Sequence, residues 1–323
     1  MELETGNDDA GRRLDRILRK ALPEYPLSLI HRLLRQGQVL VGGKPAQGDK
    51  RIPAGLVINI AALPPVSRTP FRQLPPAKRR LPPLLWQGAG LLVLNKPAGL
   101  AVHGPDSLDI LVQAHLADKL APSLAFRPGP LHRLDKPTSG LIVFSTSIEG
   151  ARRFSALLRE RQLQKYYLAL VEGRLDTDAV WEDTLIRDSS AKKTRSAGQD
   201  SAAGGKTALT RVRPLAANAA YTLLLAEIAT GRTHQIRAHA AAHRHPLAGD
   251  IKYGGHATDG VKRRGGNFFL HAWKLKFGKS AKGFPPLIIA PPPESFTNQI
   301  AALFGKELVK KLHLSGPVSK LQF

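Results

Sequence analysis

The chain has 323 residues, with 48 Lys or Arg against 25 Asp or Glu, a formal net charge of +23 and no cysteine. That length allows two or three domains, and a hydrophobic fraction of 42% excludes a wholly disordered chain. The missing cysteines exclude a disulfide scaffold, a thiolate nucleophile and any Cys-ligated zinc or iron–sulfur centre, while the basic excess favours a polyanionic partner, nucleic acid first. The acidic, polar opening MELETGNDDAG does not read as a secretory signal, and no apolar run reaches the roughly 20 residues that span a bilayer. The expectation is a soluble protein of the cytoplasm with no membrane partner.

In chain order, the first predicted element is a helix in RRLDRILRKAL. Leu14, Ile17, Leu18, Ala21 and Leu22 recur at helical spacing, and Arg12, Arg13, Arg16, Arg19 and Lys20 share the solvent side. After Pro23 and Pro26, Ser28 is the expected N-cap of a second helix that runs through Leu33 and Leu34 and stops at Gly37. VLVGGKPA then predicts two short strands around a Gly-Gly turn, and LVINI a last strand ending near Ile60. Basic helices alone are commonly just a solvated face. Here they precede a turn carrying Lys44, Lys50 and Arg51, which favours RNA contact. The pattern over residues 11–61 resembles the small S4-like RNA-binding domain, a resemblance that implies binding to structured RNA without chemistry.

Residues 64–83 hold seven prolines and five basic residues with no acidic one, which predicts an extended tether. From about residue 84 the pattern is regular α/β: LLVLN, GLIVFS, YYLALVEG, YTLLLAEIAT and FFLHAWKLKF read as strands, SLDILVQAHLADKL and SIEGARRFSALLRERQ as helices. No repeat period appears, and no GxGxxG or GxxxxGK[ST] supports nucleotide binding. The expected organisation is therefore residues 1–61 as an S4-like domain, 62–83 as a Pro-rich basic linker and 84–323 as one large catalytic-size domain. The polar stretch 192–210 is expected to be an inserted loop near RNA.

Three stretches carry candidate chemistry. In GPLHRLDKPTSGLIVFS, Asp135 lies among His132, Arg133 and Lys136, just before a turn into an apolar strand. Neighbouring cations favour a carboxylate available as nucleophile or base; a structural ion pair is the alternative. In ATGRTHQIRAHAAAHRHPLAGDIKYGG, Gly231 and Thr233 are placed to end a strand and cap a helix bearing Gln235, Arg237 and His239. His239 and His243 are four apart and share a helical face, but a third zinc ligand is wanting, so no metal is expected. In LQKYYLALVEGRL, Lys165, Tyr167, Ala169, Val171 and Gly173 alternate along one side of a strand, where a tyrosine is more often packing than chemistry.

Taken together, HRLDKPTSG, the K-x-Y-x-A-x-V-x-G frame from Lys165 to Gly173, GRTHQIRAH and GDIKYGG resemble the RluA family of RNA pseudouridine synthases, with NKPAGLAVH at 95–103 similar to its opening strand and loop. The motifs follow family order from about 84 to 290, and an S4-like domain in front is a usual companion. The resemblance implies an α+β fold: a small N-terminal S4-like domain plus a larger mixed α/β catalytic domain on a central, mainly antiparallel sheet. It implies that uridine in RNA is isomerised, the base being detached, turned and rejoined through carbon, with no cofactor. It places the essential carboxylate at Asp135, the tyrosine that stacks on uracil at Tyr167 and the partner of the aspartate at Arg237. Arg133 would assist in displacing the base, and His132, Arg232, His234 and Gln235 would contact substrate.

Within the family, NKPAGLAVHG, LQKYYLALVEG and FFLHAWKLKF look most like the C branch of the large-subunit ribosomal synthases. That implies 23S ribosomal RNA as substrate during subunit assembly; the sequence is silent on oligomeric state, and a monomer is the default expectation. A synthase acting on tRNA or another ribosomal site, or a non-catalytic RNA-binding assembly protein, are the alternatives. Two departures stand out: Ala238 replaces a more typical valine, and Arg244 stands where glycine often precedes His-Pro, so a positive φ there would be strained.

Overall fold

The structure, a computed structural model, describes residues 1–61, 63–64, 80–188, 193–197, 205–256 and 268–314. Most of the predicted linker, 65–79, lies outside the described residues.

The N-terminal unit contains strands Glu2–Glu4 (β1) and Arg12–Arg13 (β2), helices Leu14–Ala21 (α1) and Leu27–Arg35 (α2), and strands Val39–Val41 (β3), Lys44–Pro45 (β4), Arg51–Ile52 (β5) and Val57–Ile60 (β6). The sheet order is β1-β6-β3-β4, with β2 paired to β5. Leu14, Ile17 and Leu18 of α1 and Leu29, Ile30, Leu33 and Leu34 of α2 form one core with Val39, Val41, Ile52, Ile58 and Ile60. Burying these apolar stripes stabilises helices too short to persist alone in water. The β3–β4 turn uses Gly42 at φ 59° and Gly43 at φ 78°, consecutive left-handed positions that favour glycine. One local expectation needs correction: α2 starts a residue before Ser28. Pro26 is its N-cap, in the extended conformation at φ −67° and ψ 146°, and its carbonyl accepts from Leu29 N at 3.0 Å. The fixed φ of proline suits it to sit just outside the helix, and Ser28 falls in the first turn.

The second unit is built on an 11-stranded sheet. Its elements are strands Leu84–Gly88 (β7) and Leu91–Lys96 (β8), helix Leu108–Leu116 (α3), strands Gly129–Pro130 (β9) and Ser139–Ser145 (β10), and helix Ile148–Arg159 (α4). Strands Leu163–Glu172 (β11), Ala179–Asp188 (β12), Lys193–Ala197 (β13), Lys206–Ala217 (β14) and Tyr221–Ile228 (β15) follow, then helix Gln235–Ala242 (α5). The last elements are strands Leu270–Phe277 (β16) and Leu287–Ile289 (β17) and helices Glu294–Phe304 (α6) and Lys306–Leu314 (α7). The order β13-β12-β14-β15-β11-β16-β10-β8-β7 is antiparallel except where β10 joins β16, with β9 added to β10 and β17 to β16. The stretch 192–210, expected as a loop, contributes β13 and the start of β14, both paired to β12; residues 198–204 lie outside the described residues.

Alternation along β11 sorts its side chains onto two layers. Tyr167, Ala169 and Val171 join the larger core with the residues of β8, β10, α3 and α4. Tyr166, Leu168 and Leu170 pack with Phe296 and Ile300 of α6 and Leu312 of α7. Among the described residues no helix is long and apolar enough to cross a membrane.

Candidate active site

Asp135 sits on a tight turn between β9 and β10, closed by Thr138 N donating to Asp135 O at 3.0 Å. Two contacts from the loop after β8 brace this turn. Gly99 N donates to Lys136 O at 2.8 Å. The fully buried Lys96 ammonium donates to Pro97 O at 3.0 Å, Leu100 O at 2.8 Å and Lys136 O at 3.2 Å. Three carbonyls thus match its three N–H donors. Burial lowers Lys96 to about 7 despite the opposing pull of the Asp135 charge.

Helix α5 brings the second part of the site. Its N-cap is His234, in the left-handed conformation at φ 54°, one residue beyond the expected Thr233. At the other end Arg244 has φ 64°, the strained backbone the sequence suggested. Arg237, on the buried face of α5, forks between two carboxylates. Nε donates to Asp250 Oδ2 at 2.6 Å and Nη2 to Asp250 Oδ1 at 2.9 Å, leaving Nη1 to donate to Asp135 Oδ2 at 3.0 Å. The guanidinium also lies 4.6 Å from the Tyr253 ring centre and 4.5 Å from that of Phe268. Burial opposes its charge, but hydrogen bonds and charges from Asp250, then Asp135, together raise its pKa above the ordinary value.

His234 approaches the other oxygen, with Nε2 3.6 Å from Asp135 Oδ1. Its Nδ1 is 2.8 Å from the Tyr253 hydroxyl, which in turn accepts from Thr194 N at 2.8 Å. Burial lowers the His234 pKa, outweighing Asp135, so the ring is neutral at neutral pH. Assigned as acceptor from Tyr253, it presents Nε2–H toward Asp135.

These groups open onto a cavity of about 350 Å³ lined by His132, Asp135, Lys165, Tyr167, Arg232, His234, Gln235 and Arg237, with exposed Arg133 at its edge. Tyr167 is 7% exposed, and burial, then the Asp135 charge, raises its hydroxyl well above its ordinary range. It enters the cavity as a neutral, flat aromatic wall. Of the eight residues expected at the site, all line this one cavity, but not all are free to touch a substrate. Gln235 has its amide fully engaged: Oε1 accepts from Thr230 Oγ1 and Arg232 N, and Nε2 donates to Leu209 O and Thr210 Oγ1. His132 accepts from Val143 N at 3.1 Å, stacks on Phe154, and is pushed down to about 3 by burial and then by the Lys165 charge. Both shape the loops that carry Arg232 and Asp135.

The sequence did not reveal the roles of Asp250, Tyr253 and Lys96. Each lies in a motif already noted, GDIKYGG or NKPAGLAVH, but its partner is brought up by the fold. The His239 and His243 pair converges on Asp183, at 3.8 and 3.1 Å, while His239 Nδ1 meets Thr210 and His243 stacks on Trp181. Among the described residues no group of three or more His, Asp or Glu is arranged to hold a metal ion.

Residues 90–242 match the RNA pseudouridylate synthase family, and residues 12–58 match the S4 domain. The chain is 32% identical to a ribosomal large subunit pseudouridine synthase C of Vibrio vulnificus over 93% of this chain and 96% of that protein. It is also 32% identical to a ribosomal large subunit pseudouridine synthase D of Neisseria meningitidis, over 91% of this chain and 79% of that protein. Equal likeness to both does not single out the C branch. Among solved structures, a human RNA pseudouridylate synthase domain containing 4 matches with a TM-score of 0.55 at 25% identity, covering 68% of this chain and 92% of that one.

Proposed function

The chain belongs to the RluA family of RNA pseudouridine synthases, and on that footing we propose that it isomerises specific uridines of large-subunit (23S) ribosomal RNA. The observation that carries the reading is the Asp135 carboxylate held by Arg237 at 3.0 Å in the same cavity as the buried aromatic wall of Tyr167.

Isomerisation must open the bond between ribose C1′ and uracil N1, keep the base, rotate it and close a bond to C5. Asp135 is the carboxylate that reacts; attack at the sugar carbon or at the base both begin from the oxygen that Arg237 orients. Tyr167 is the platform against which the detached base turns, since an enclosed stacking wall prevents its loss. Arg133 and Arg232, exposed at the rim, hold phosphates and help displace the target base, whose extrusion costs a few kcal/mol. His234 donates toward Asp135, and His132 and Gln235 act by positioning.

Supporting the ribosomal substrate are the names of the relatives, which include both C and D large-subunit synthases. The reading extends to an S4-like unit over residues 1–61, a linker over 62–83 and a catalytic unit over 84–323. The enzyme acts as a cytoplasmic monomer during subunit assembly, without a metal or cofactor. Pseudouridine mapping of RNA from cells with and without the gene tests it. Loss of sites in large-subunit RNA is expected; loss confined to tRNA or small-subunit RNA would move the substrate. Restoration by Asp135→Asn would overturn the enzymatic role.

A further inference from the structure

One cation of the cavity stands apart. Arg133 and Arg232 are exposed and Arg237 is ion-paired. Lys165 is only 8% exposed, and among the described residues its ammonium has no hydrogen-bond or ion-pair partner. Its place two residues before Tyr167 on β11 puts both side chains on the cavity wall. Nζ lies beside Gly231, 3.5 Å from where a Cβ would stand at that position. A buried cation without an acceptor is costly, and here the open side of the group is the space the base must enter.

We propose that Lys165 is a catalytic residue, its ammonium donating to a carbonyl oxygen of the extruded uracil and stabilising the negative charge that the ring acquires. The role rests on the pseudouridine synthase reading. When the C1′–N1 bond breaks, its electron pair leaves with the ring and the charge spreads over N1, O2 and O4; the Asp135 carboxylate meets the electron deficiency left at C1′. If the carboxylate adds to the base first, charge builds on the same carbonyl oxygens. After rotation, C5 supplies the pair that forms the C1′–C5 bond. The C5 proton is then lost and N1 gains one, so the reaction balances as an isomerisation. Where the extruded base fills the cavity and displaces its water, one fixed cation facing those oxygens has a large effect on the barrier. It also raises selectivity for uracil, whose O4 accepts, over cytosine, whose N4 donates. Burial lowers Lys165 to about 8, which leaves it mainly charged at neutral pH.

The test uses total RNA from a strain lacking the gene, so that every uridine the parent protein converts serves as a reference. Lys165→Met and the polar, neutral Lys165→Gln are compared with the parent by single-turnover pseudouridine formation, RNA affinity and thermal unfolding. A parallel transcript carries 5-fluorouridine at a converted position, read by rearrangement of the base in nuclease digests. The Met variant should bind RNA as the parent does and unfold at no lower temperature, since an unpaired buried charge is gone. Its rate should fall by about a hundredfold, and the Gln variant should lie between the two. The loss should be smaller on 5-fluorouridine RNA, because fluorine itself stabilises the ring anion. An unchanged rate, or an equal loss on both RNAs, overturns the role of Lys165. No conversion by the parent at any uridine overturns the synthase reading and this role with it; conversion of tRNA alone overturns only the ribosomal substrate.

Discussion

At the residue scale the site depends on one guanidinium serving two carboxylates. Removing one partner of a buried ion pair leaves the others uncompensated, a loss of about 3–5 kcal/mol. Arg237→Ala should therefore lower unfolding free energy in urea by about that amount, since Asp135 and the 2%-exposed Asp250 both lose their cation. Asp250→Asn tests positioning separately. The fork from Nε and Nη2 is weakened, Nη1 drifts from Asp135, and the single-turnover rate should drop about tenfold or more while RNA affinity holds. A preserved rate would mean that Asp250 only stabilises the fold. Acid stability belongs to this scale too. Burial lowers His132 to about 3 and both His239 and His271 to about 4. The unfolded chain takes up these protons below about pH 6.5 while the folded chain does not, so stability is present above that pH and lost as pH falls toward 4. Urea midpoints measured from pH 7 to 4.5 should show the decline, and His239→Gln should make it shallower. Asp135, Tyr167 and Arg237 were legible as residues because short motifs carry them. The work of Asp250 and Lys96 was not, because it consists of contacts made 13 residues away around α5 and 40 residues away across a turn.

Among the elements, the joint between β10 and β16 has the strictest demand. Gly140 adopts φ 108°, and a Cβ there would come within 2.2 Å of the Ala272 carbonyl. The sheet makes its parallel pairing at this point, directly after the turn that carries Asp135. Gly140→Ala should cost at least about 2 kcal/mol through backbone strain alone, and the shift it forces should reduce activity beyond the fraction unfolded. A variant equally stable and equally active would show that the joint yields freely. Arg244 is the converse case, a large residue held at φ 64°, so Arg244→Gly should be neutral or stabilising by up to about 1 kcal/mol in thermal unfolding. The helices and the apolar strands were legible from periodicity. The β12–β13–β14 ribbon was not, because a polar, Gly-rich stretch carries little local strand signal and gains its structure from cross-strand pairing. Ser28 misled for a related reason: cap preference is statistical, and the backbone of Pro26 had already set the start of the helix.

For the whole molecule, a net charge of +23 says only that RNA is attracted; how the charge is presented depends on the way the two units meet. Besides the expected extended tether, most of which lies outside the described residues, side-chain contacts latch the N-terminal unit to the catalytic one. The fully buried Asp9 accepts from Gly6 N at 2.9 Å within its own unit, and across the joint from Ser123 Oγ at 2.8 Å, Leu124 N at 2.9 Å and Ala125 N at 2.9 Å. Beside it, Asp8 Oδ1 accepts from Ile148 N at 2.7 Å, at the positive N-terminal end of α4. Ala125 is part of the N-terminal core itself. The joint frames a cleft lined by Arg12, Arg19 and Lys20 of the N-terminal unit and Arg127 of the catalytic unit, so an RNA backbone laid in it would meet cations of both. Asp9→Ala strips four donors of their acceptor and should release the latch. With no native cysteine, spin labels can be placed at Arg35→Cys and Arg159→Cys alone. The distance distribution should be narrow in the parent and broad once Asp9 is replaced. RNA affinity should weaken, and the slope of log K against log salt should become shallower by about 0.7 for each phosphate that is no longer neutralised, while the single-turnover rate at saturating protein stays near that of the parent. A broad distribution already present in the parent would mean that the tether, not the latch, governs how the S4 unit reaches RNA.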